Sequence, residues 1–330
     1  MPDHERMREP APAPASPPLA GCRRAVIDIG TNSVKLLVAE VSGRRVHPLW
    51  EESEQTRLGR GFYDTRRLQP EAIQSTAAAV AEFAATARSY RAEALRVIAT
   101  SAARDAQNQA ELLAAVERSA GLKVEIISGE QEAEWVFQGV TSDPGLTGRR
   151  LLIIDVGGGS TEFILGEGEH RQFRQSFPLG SVRLLEQLPH GDPPTRREMA
   201  DCRAWLNDFI GGQVRPALAP WLGNGSDGWQ LIGTGGAATI LARLEGQIGE
   251  FDRERIEAAR LSAAAVGRWM ERLWSLPLAD RKRIVGLPKK RADIILGGTA
   301  IYETVMQQLG FAQLQVSTRG LRYAAVMQGS

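Results

Sequence analysis

The sequence is poor in the residues on which several classes of protein depend. It holds two cysteines (Cys22 and Cys202) and four histidines in 330 residues, which excludes a disulfide framework and a cysteine or histidine zinc cluster. Lys and Arg number 40 against 39 Asp and Glu, a net charge of +1, so the overall charge gives no reason to expect a nucleic acid partner. No apolar run approaches the roughly 18–20 residues that would cross a bilayer. We therefore expect a cytoplasmic protein without a nucleic acid or membrane partner.

The length favours two domains preceded by a leader. Residues 1–22 are rich in proline and alanine, lack an apolar core, and are expected to be disordered. The polar, turn-rich residues 142–150 are predicted to connect two lobes. The predicted division is a leader at 1–22, an N-terminal lobe at 23–138 and a C-terminal lobe at 139–330.

Two segments separated by 127 residues share one pattern. Residues 25–30 (Ala-Val-Ile-Asp-Ile-Gly) predict an apolar strand that ends in a turn and continues into a second strand, and residues 151–165 repeat this arrangement. Asp28 and Asp155 occupy equivalent positions, one domain's length apart. Strands alternating with helices at 71–90, 109–120, 195–212, 260–275 and 292–309 predict an α/β fold with an internal repeat.

Both predicted turns have the composition of an anion-binding loop. Backbone N–H groups can converge on an anion in a glycine-containing turn, and hydroxyl and amide side chains add donors. Neither turn is a P-loop or a dinucleotide fingerprint, because each leads into a strand rather than a helix. The alternative is an ordinary hairpin turn whose glycines only supply a positive φ. The predicted phosphate-binding residues are Gly30, Thr31, Asn32, Ser33, Gly157, Gly158, Gly159, Ser160 and Thr161.

Carboxylates follow or precede these turns and predict a metal site. Mg²⁺ is held by one or two carboxylates together with water and phosphate oxygens. Asp155 with Glu162 is the first candidate pair and Asp28 the second candidate. We expect Mg²⁺, with Mn²⁺ as an alternative.

A helix that begins after Ser128 carries three candidate general bases. Ser128 and Gln131 have the spacing of a capping box. Glu130, Glu132 and Glu134 flank an apolar stripe, so periodicity does not choose between them. Acidic residues also favour a helix N-terminus without any catalytic role.

Several motifs together resemble the Ppx/GppA phosphatase family, which comprises exopolyphosphatases and guanosine pentaphosphate phosphohydrolases. They run in the family's order from about residue 24 to the C-terminus. The motifs are Asp-Ile-Gly-Thr-Asn-Ser (28–33), Ala-Thr-Ser-Ala-Ala-Arg (99–104), Ile-Ser-Gly-Glu-Gln-Glu-Ala (127–133), Asp-Val-Gly-Gly-Gly-Ser-Thr-Glu (155–162), Leu-Gly-Ser-Val-Arg (179–183), Gly-Thr-Gly-Gly (233–236), Arg-Lys-Arg-Ile-Val-Gly-Leu (281–287) and Ser-Thr-Arg-Gly-Leu-Arg (317–322).

The resemblance implies the actin/sugar-kinase/Hsp70-like fold, with two ribonuclease H-like lobes and a phosphate-binding cleft between them. It also implies a C-terminal helix that packs back on the first lobe, and the short form of the family without a His-Asp domain. By the resemblance, Glu132 is the catalytic base, Asp155 and Glu162 lie near the metal, and Arg104 is the basic residue beside the site.

The sequence departs from the family's pattern at four positions. Glu134 stands where arginine is usual, and Ala237 where threonine is common. Tyr323 and Ala324 replace the more usual Glu-Gly after Arg322. None of these positions is among the residues expected to carry out the reaction.

The predicted function is Mg²⁺-dependent, processive exopolyphosphatase activity that releases orthophosphate. The alternatives are a guanosine pentaphosphate (pppGpp) 5′-phosphohydrolase, a non-catalytic (p)ppGpp sensor and a kinase of the same fold. The helix at 260–275 has enough apolar surface for core packing or for a homodimer face. A polyphosphate chain needs a basic track, although the same cations can form solvated faces; the candidates are Arg57, Arg60, Arg66, Arg67, Lys289, Lys290 and Arg291.

Overall fold

The computed structural model describes residues 21–168, 170–222 and 226–328. This chain divides into two compact units: the first runs to Ser142 and takes in the chain again from Leu321, and the second is Asp143–Gly320. The first unit thus extends slightly beyond the boundary predicted at 138. The predicted leader lies outside the described residues except for Gly21 and Cys22, and Cys22 already belongs to the first strand.

The first unit is built on a mixed sheet. Its strands are β1 (Cys22–Ile29), β2 (Val34–Ser42), β3 (Arg45–Glu54), β4 (Ala94–Ala99) and β5 (Val124–Ile126). The order across the sheet is β3-β2-β1-β4-β5. β1 and β2 form the predicted hairpin, and β4 and β5 run parallel to β1. Because β1 lies in the centre, its last five residues are all buried.

Helices cover the sheet of the first unit. They are α1 (Phe62–Thr65), α2 (Pro70–Ser89), α3 (Ser101–Asp105), α4 (Gln109–Ala120) and α5 (Gly129–Val140). Ile73, Ala77 and Val80 lie on the predicted apolar stripe of α2 and are buried. The side chain of Ser128 accepts a hydrogen bond from the N–H of Gln131 and begins α5 as predicted.

The second unit has a six-stranded sheet of related topology. Its strands are β6 (Arg150–Val156), β7 (Thr161–Glu167), β8 (His170–Phe177), β9 (Gln230–Thr234), β10 (Arg260–Ser262) and β11 (Gln313–Val316). The order is β10-β11-β9-β6-β7-β8. β6, β7 and β8 form an antiparallel meander, and β9 and β11 continue the sheet in parallel. The β8-β7-β6-β9-β11 series repeats the β3-β2-β1-β4-β5 series, with β10 added at the edge.

The helices of the second unit are α6 (Ser181–Gln187), α7 (Arg196–Phe209), α8 (Arg215–Leu222), α9 (Gly235–Glu245), α10 (Arg253–Ala258), α11 (Ala263–Ser275), α12 (Leu278–Arg281) and α13 (Ile295–Leu309). A π-helical segment, Ile210–Val214, joins α7 to α8. Residues 260–262, predicted as the start of a helix, form β10 instead, and Ser262 caps α11.

The strands β3 and β8 were not predicted. Each lies at or near an edge of its sheet and carries many polar residues, as edge strands commonly do. Such strands lack the apolar run that reveals a central strand.

The last helix, α14 (Leu321–Met327), belongs to the first unit and packs against α5 and β1. Arg322 donates from Nη1 to the carbonyl of Leu36 at 2.8 Å and pairs with Glu51 at 3.1 Å. Tyr323 and Ala324, which depart from the family's pattern, are buried. Within the described residues, no helix combines the length and apolarity that a membrane span requires.

We predict that Val326→Asp destabilises the first unit. Val326 is 2% exposed, so a carboxylate at this position would be buried without water to solvate it. The free energy of unfolding should therefore fall by at least about 3 kcal/mol. Gln328→Asp places the same charge at an exposed position two residues later and serves as the control. Thermal unfolding at neutral pH measures both; equal melting temperatures for the two variants would contradict the placement of α14.

Candidate active site

The two predicted turns adopt the same hydrogen-bonded geometry. In the first turn (residues 30–33) the N–H of Gly30 donates to the carbonyl of Ser33 at 3.0 Å, and in the second turn (residues 157–160) the N–H of Gly157 donates to the carbonyl of Ser160 at 3.0 Å. The internal repeat predicted from the sequence therefore extends to individual hydrogen bonds.

The glycines that begin these turns are needed for space rather than for a positive φ. Among the described residues, neither Gly30 nor any glycine of the second turn has a positive φ. A Cβ on Gly157 would lie 2.9 Å from the carbonyl oxygen of Ser160, and one on Gly30 would lie 3.2 Å from that of Ser33. The alternative in which the glycines only supply a positive φ is therefore wrong.

Each turn leaves a group of N–H donors available. Within the described chain, the N–H groups of residues 31 and 32 and of residues 158–160 have no backbone acceptor. The side chains of Thr31, Asn32, Ser33 and Ser160 are buried around them. This is the arrangement that binds an oxyanion through the main chain.

Thr161 is a special case among the residues predicted to bind phosphate. Its side chain is fully buried, and its hydroxyl donates to the carbonyl of Leu179. Because the hydroxyl proton of Thr161 is donated to this carbonyl, the hydroxyl does not donate the same proton to a phosphate.

Acidic side chains stand beside both turns, but their strand partners differ. Asp28 lies directly opposite Lys35 in the β1–β2 register, whereas Asp155 lies directly opposite Glu162 in the β6–β7 register. Directly opposed residues lie on the same face of an antiparallel sheet. The first unit therefore pairs its aspartate position with a cation, and the second with another carboxylate.

Asp28 is buried, and its Oδ1 meets no hydrogen-bond partner in the described structure. Burial raises the pKa of Asp28, and the nearby charges of Lys35 and Arg322 oppose this rise. An unpartnered, desolvated carboxylate oxygen beside this turn is open to a cation or to a water molecule.

Asp155 and Glu162 are held by different contacts. Glu162 is 1% exposed, and its Oε1 accepts a hydrogen bond from the hydroxyl of Ser176 at 2.7 Å. A Cβ on Gly235 would lie 2.1 Å from Asp155 Oδ1, so a glycine is required to leave this oxygen room. A Cβ on Gly320 would lie 3.8 Å from Asp155 Oδ2. Neither Ser176 nor Gly235 was predicted as a site residue, because only the strand register brings them beside the carboxylates.

These contacts fit a magnesium ion. The described residues contain no group of three or more metal-ligating side chains. Mg²⁺ does not need such a group, since it keeps several waters and takes one or two carboxylates plus substrate phosphates. The Asp155–Glu162 pair of the second unit supplies oxygen ligands of that kind, and Oδ1 of Asp28 is a separate candidate ligand in the first unit.

The structure distinguishes the three glutamates of α5. Glu132 is 8% exposed and its Oε2 accepts a hydrogen bond from Arg104 Nη1 at 3.1 Å. Glu130 is exposed, and Glu134 accepts from Gln138 Nε2 at 2.6 Å within its own helix. Glu132 is thus the buried glutamate with an arginine partner.

Arg104, at the end of α3, links two elements of the first unit. Besides Glu132, its Nη1 donates to the carbonyl of Ile127 at 3.0 Å, just before α5 begins. The same arginine therefore fixes both the start of α5 and the carboxylate on its first turn.

Ala237, where the family commonly has threonine, lies in the core of the second unit. It is 9% exposed, and a Cβ on Gly298 would meet its Cβ at 2.7 Å. The alanine therefore fits a close approach between α9 and α13.

The basic-track candidates occupy several environments. Arg67 pairs with Glu111 at 3.2 Å with both side chains half exposed. The N–H of Arg57, a residue with positive φ, donates to the carbonyl of Asn32. Lys289, Lys290 and Arg291 form a 3₁₀ turn, and Arg291 Nη1 lies 2.4 Å from the position of a Cβ on Gly236.

Two mixed sheets of one topology, each with a glycine turn after its first central strand, define the actin-like class of two-domain α/β proteins. The profile of the Ppx/GppA phosphatase family matches residues 37–328. The chain belongs to the Ppx/GppA phosphatase family, a family of phosphoanhydride hydrolases. The resemblance read from the motifs is confirmed, as is the predicted actin-like fold.

Individual relatives cover nearly the whole chain. Exopolyphosphatase 2 of Mycobacterium tuberculosis is 34% identical over 91% of this chain and 96% of its own length. A solved structure of the Aquifex aeolicus PPX-GPPA enzyme is 30% identical with a TM-score of 0.75, and covers 93% of this chain and 99% of its own. An exopolyphosphatase structure from Cytophaga hutchinsonii is 26% identical with a TM-score of 0.81, and covers 92% and 96%.

We predict that Asp28→Asn raises thermal stability at neutral pH. Because burial raises the pKa of Asp28, the ionised side chain destabilises the folded state above the ordinary aspartate pKa, and this cost disappears as the pH falls below that value. In metal-free buffer, the melting temperature of Asp28→Asn should exceed that of the wild type at pH 7, and the difference should shrink toward pH 4. The exposed Asp201→Asn is the control; a pH-independent difference for Asp28→Asn would refute this assignment.

Proposed function

We propose that the chain is an exopolyphosphatase that hydrolyses the terminal phosphoanhydride bond of inorganic polyphosphate and releases orthophosphate. The observation that carries this proposal is the buried Glu132 held by Arg104, in a chain with two turns of matching anion-binding geometry. Family membership supports the reaction class, and the activity named for the Mycobacterium tuberculosis relative supports the substrate.

Glu132 is proposed as the general base. Its carboxylate accepts a proton from water as that water's oxygen bonds to the terminal phosphorus. The bond from phosphorus to the bridging oxygen breaks, and the shortened chain leaves with that oxygen. Positioning and charge stabilisation provide most of the catalysis in phosphoryl transfer, so the orientation of this carboxylate matters as much as its basicity.

Arg104 is proposed to orient Glu132. Its Nη1 lies 3.1 Å from Glu132 Oε2 and 3.0 Å from the carbonyl of Ile127, so the guanidinium is fixed at two points. A direct contact of Arg104 with phosphate remains an expectation from the family.

The turns are proposed to bind phosphate oxygens. In each unit, the N–H groups of the turn would donate to phosphate oxygens: those of residues 31 and 32 in the first turn, and those of residues 158–160 in the second, with Ser160 able to add a hydroxyl donor. Neutral main-chain donors stabilise a developing negative charge without having to reorganise during the reaction.

Mg²⁺, with Mn²⁺ as the alternative, is proposed as the cofactor. Exopolyphosphatases generally depend on a metal ion. Asp155 and Glu162 would hold it, since they face each other in register. Asp28 is the second candidate, because Lys35 opposite it partly compensates its charge. When bound, the metal would offset the charge on the phosphoryl oxygens.

Three finer expectations belong to the same proposal. A pppGpp substrate has the same terminal chemistry and is the alternative to polyphosphate. A cytoplasmic location and a homodimer remain predictions.

We predict that Glu132→Gln lowers kcat for orthophosphate release by about 10²–10⁴-fold, the usual contribution of a general base. The measurement is phosphate release from polyphosphate, and in parallel from pppGpp, with Mg²⁺ present. Glu130→Gln changes an exposed glutamate of the same helix and should retain wild-type activity. A Glu132→Gln variant as active as Glu130→Gln would end the assignment; faster turnover of pppGpp would make the alternative substrate the principal one.

We further predict that Asp155→Asn and Glu162→Gln raise the Mg²⁺ concentration needed for half-maximal activity by at least about tenfold. Each change removes a negative charge from the proposed ligand pair. Glu167→Gln is the matched control, because Glu167 ends the same strand as Glu162 but is exposed and pairs with Arg150. An unchanged Mg²⁺ titration in both variants would place the metal elsewhere.

A further inference from the structure

The start of α6 binds the carbonyl groups of the second turn. The N–H of Ser181 donates to the carbonyl of Gly157 at 3.0 Å. The N–H groups of Val182 and Arg183 both donate to the carbonyl of Gly158, at 2.9 and 3.0 Å. The first N–H groups of a helix have no partner within the helix, and here the turn provides their acceptors.

The side chain of Arg183 completes this set. Arg183 is 8% exposed, and its Nε donates to the carbonyl of Gly159 at 2.8 Å. All three glycine carbonyls of the second turn therefore accept hydrogen bonds from the segment that begins α6.

Gly180 allows this segment to approach so closely. A Cβ on Gly180 would lie 2.4 Å from the carbonyl oxygen of Gly158 and 2.6 Å from the nitrogen of Gly159. The φ of Gly180 is −155°, an extended conformation open to any residue. Only the contact with the second turn therefore requires glycine here.

Holding these carbonyls also directs the N–H groups. In a planar trans peptide, the C=O of one residue and the N–H of the next point in opposite directions. Because α6 holds the carbonyls of residues 157–159, the N–H groups of residues 158–160 must point away from α6. These are the same three N–H groups that have no backbone acceptor among the described residues.

The first turn is held in the same way by a different segment. The carbonyl of Thr31 accepts from the N–H of Gly59 at 2.7 Å, and that of Asn32 accepts from the N–H of Arg57 at 3.0 Å. A Cβ on Gly59 would lie 2.3 Å from Thr31 Cγ2. At both turns, therefore, a nearby segment that contains a glycine donates hydrogen bonds to the carbonyls of the turn.

We propose that Arg183 and Gly180 are positioning residues that preorganise the second turn for phosphate. Neither needs to touch the substrate: Arg183 fixes the Gly159 peptide, and Gly180 leaves room for α6 to hold the other two. This inference rests on the proposed function in assigning phosphate as the anion.

The first test compares Arg183→Met with Arg243→Met. Methionine keeps an unbranched side chain but removes the donors. Arg243 is the matched control, since it is 4% exposed, lies in the same unit and donates from Nε to the carbonyl of Ile248 at 3.2 Å. Isothermal titration with inorganic orthophosphate gives the Kd, and polyphosphate hydrolysis gives KM and kcat.

We expect Arg183→Met to raise the Kd for orthophosphate and the KM for polyphosphate by about tenfold or more, the loss associated with a hydrogen bond from a charged donor. The value of kcat should change less. Arg243→Met should lower the melting temperature to a similar extent without changing the Kd. Arg183→Lys, which restores a cationic donor, should recover part of the affinity.

The second test changes the close approach of Gly180 to the backbone of the second turn and leaves Arg183 unchanged. Gly180→Ala must displace the second turn and should weaken orthophosphate binding, whereas Gly212→Ala, whose Cβ would meet nothing within 4 Å, should bind normally. This pair keeps the proposal testable even if Arg183→Met does not fold.

The outcomes separate this inference from the proposed function. Orthophosphate binding that is weakened by Arg183→Met and Gly180→Ala, in a protein that does not hydrolyse polyphosphate, would sustain the positioning role and reject the function. Hydrolysis with unchanged orthophosphate binding in both variants would overturn the positioning role. A wild-type protein that binds no orthophosphate would overturn it as well.

Discussion

The direction of the peptide groups in two tight turns is the constraint on which the candidate site depends. A turn that closes an antiparallel hairpin over four residues leaves most of its peptide groups unpaired within the hairpin. In both units, N–H groups of a neighbouring segment donate hydrogen bonds to carbonyls of the turn. The N–H groups of the same peptides then point away from that segment. A neutral main chain can then bind an anion without a lysine or arginine in the turn. The glycines at residues 30 and 157 follow from the close approach of their own turn's carbonyl rather than from an unusual φ.

The duplicated hairpins have diverged in charge, and this divergence separates their chemistry. Lys35 opposite Asp28 compensates a carboxylate that burial makes costly to ionise, whereas Glu162 opposite Asp155 concentrates two carboxylates on one sheet face. Carboxylates brought to the same sheet face repel each other, and this repulsion favours the binding of a cation there. The hydroxyl of Ser176 donates to Glu162 from the next strand, which orients one carboxylate of the pair. The two hairpins thus share the hydrogen bond of the turn but differ in the charge that stands opposite the aspartate.

Much of this arrangement was predictable from the sequence, and what was not has a common physical cause. Hairpins, the repeat and α4 followed from apolar runs, because central strands and amphipathic helices are encoded by local periodicity. The polar strands β3 and β8 were missed, and with β8 the partner of Glu162. Local periodicity did not distinguish the three glutamates of α5, and Glu132 was chosen by the family resemblance; its contact with Arg104 required the structure, because the two residues are 28 positions apart along the chain. The contact of the second turn with the segment that contains Gly180 and Arg183 depends on hydrogen bonds between residues 24 or 25 positions apart. A sequence pattern shows such a motif but not the direction of its hydrogen bonds.

The burial of Glu132 shows why an arginine is needed beside a candidate base. A carboxylate on the first turn of a helix normally lies in solvent, where the helix dipole stabilises it. Glu132 is instead 8% exposed, and a buried charge without a partner would be strongly unfavourable. Arg104 resolves this by donating to the carboxylate and to the carbonyl of Ile127 through one nitrogen. Since Ser128 caps the same helix one residue later, the start of α5 and the position of its carboxylate are set together. Movement of Glu132 relative to the sheet would then require breaking the contacts that begin the helix, so these contacts hold its carboxylate in a single orientation.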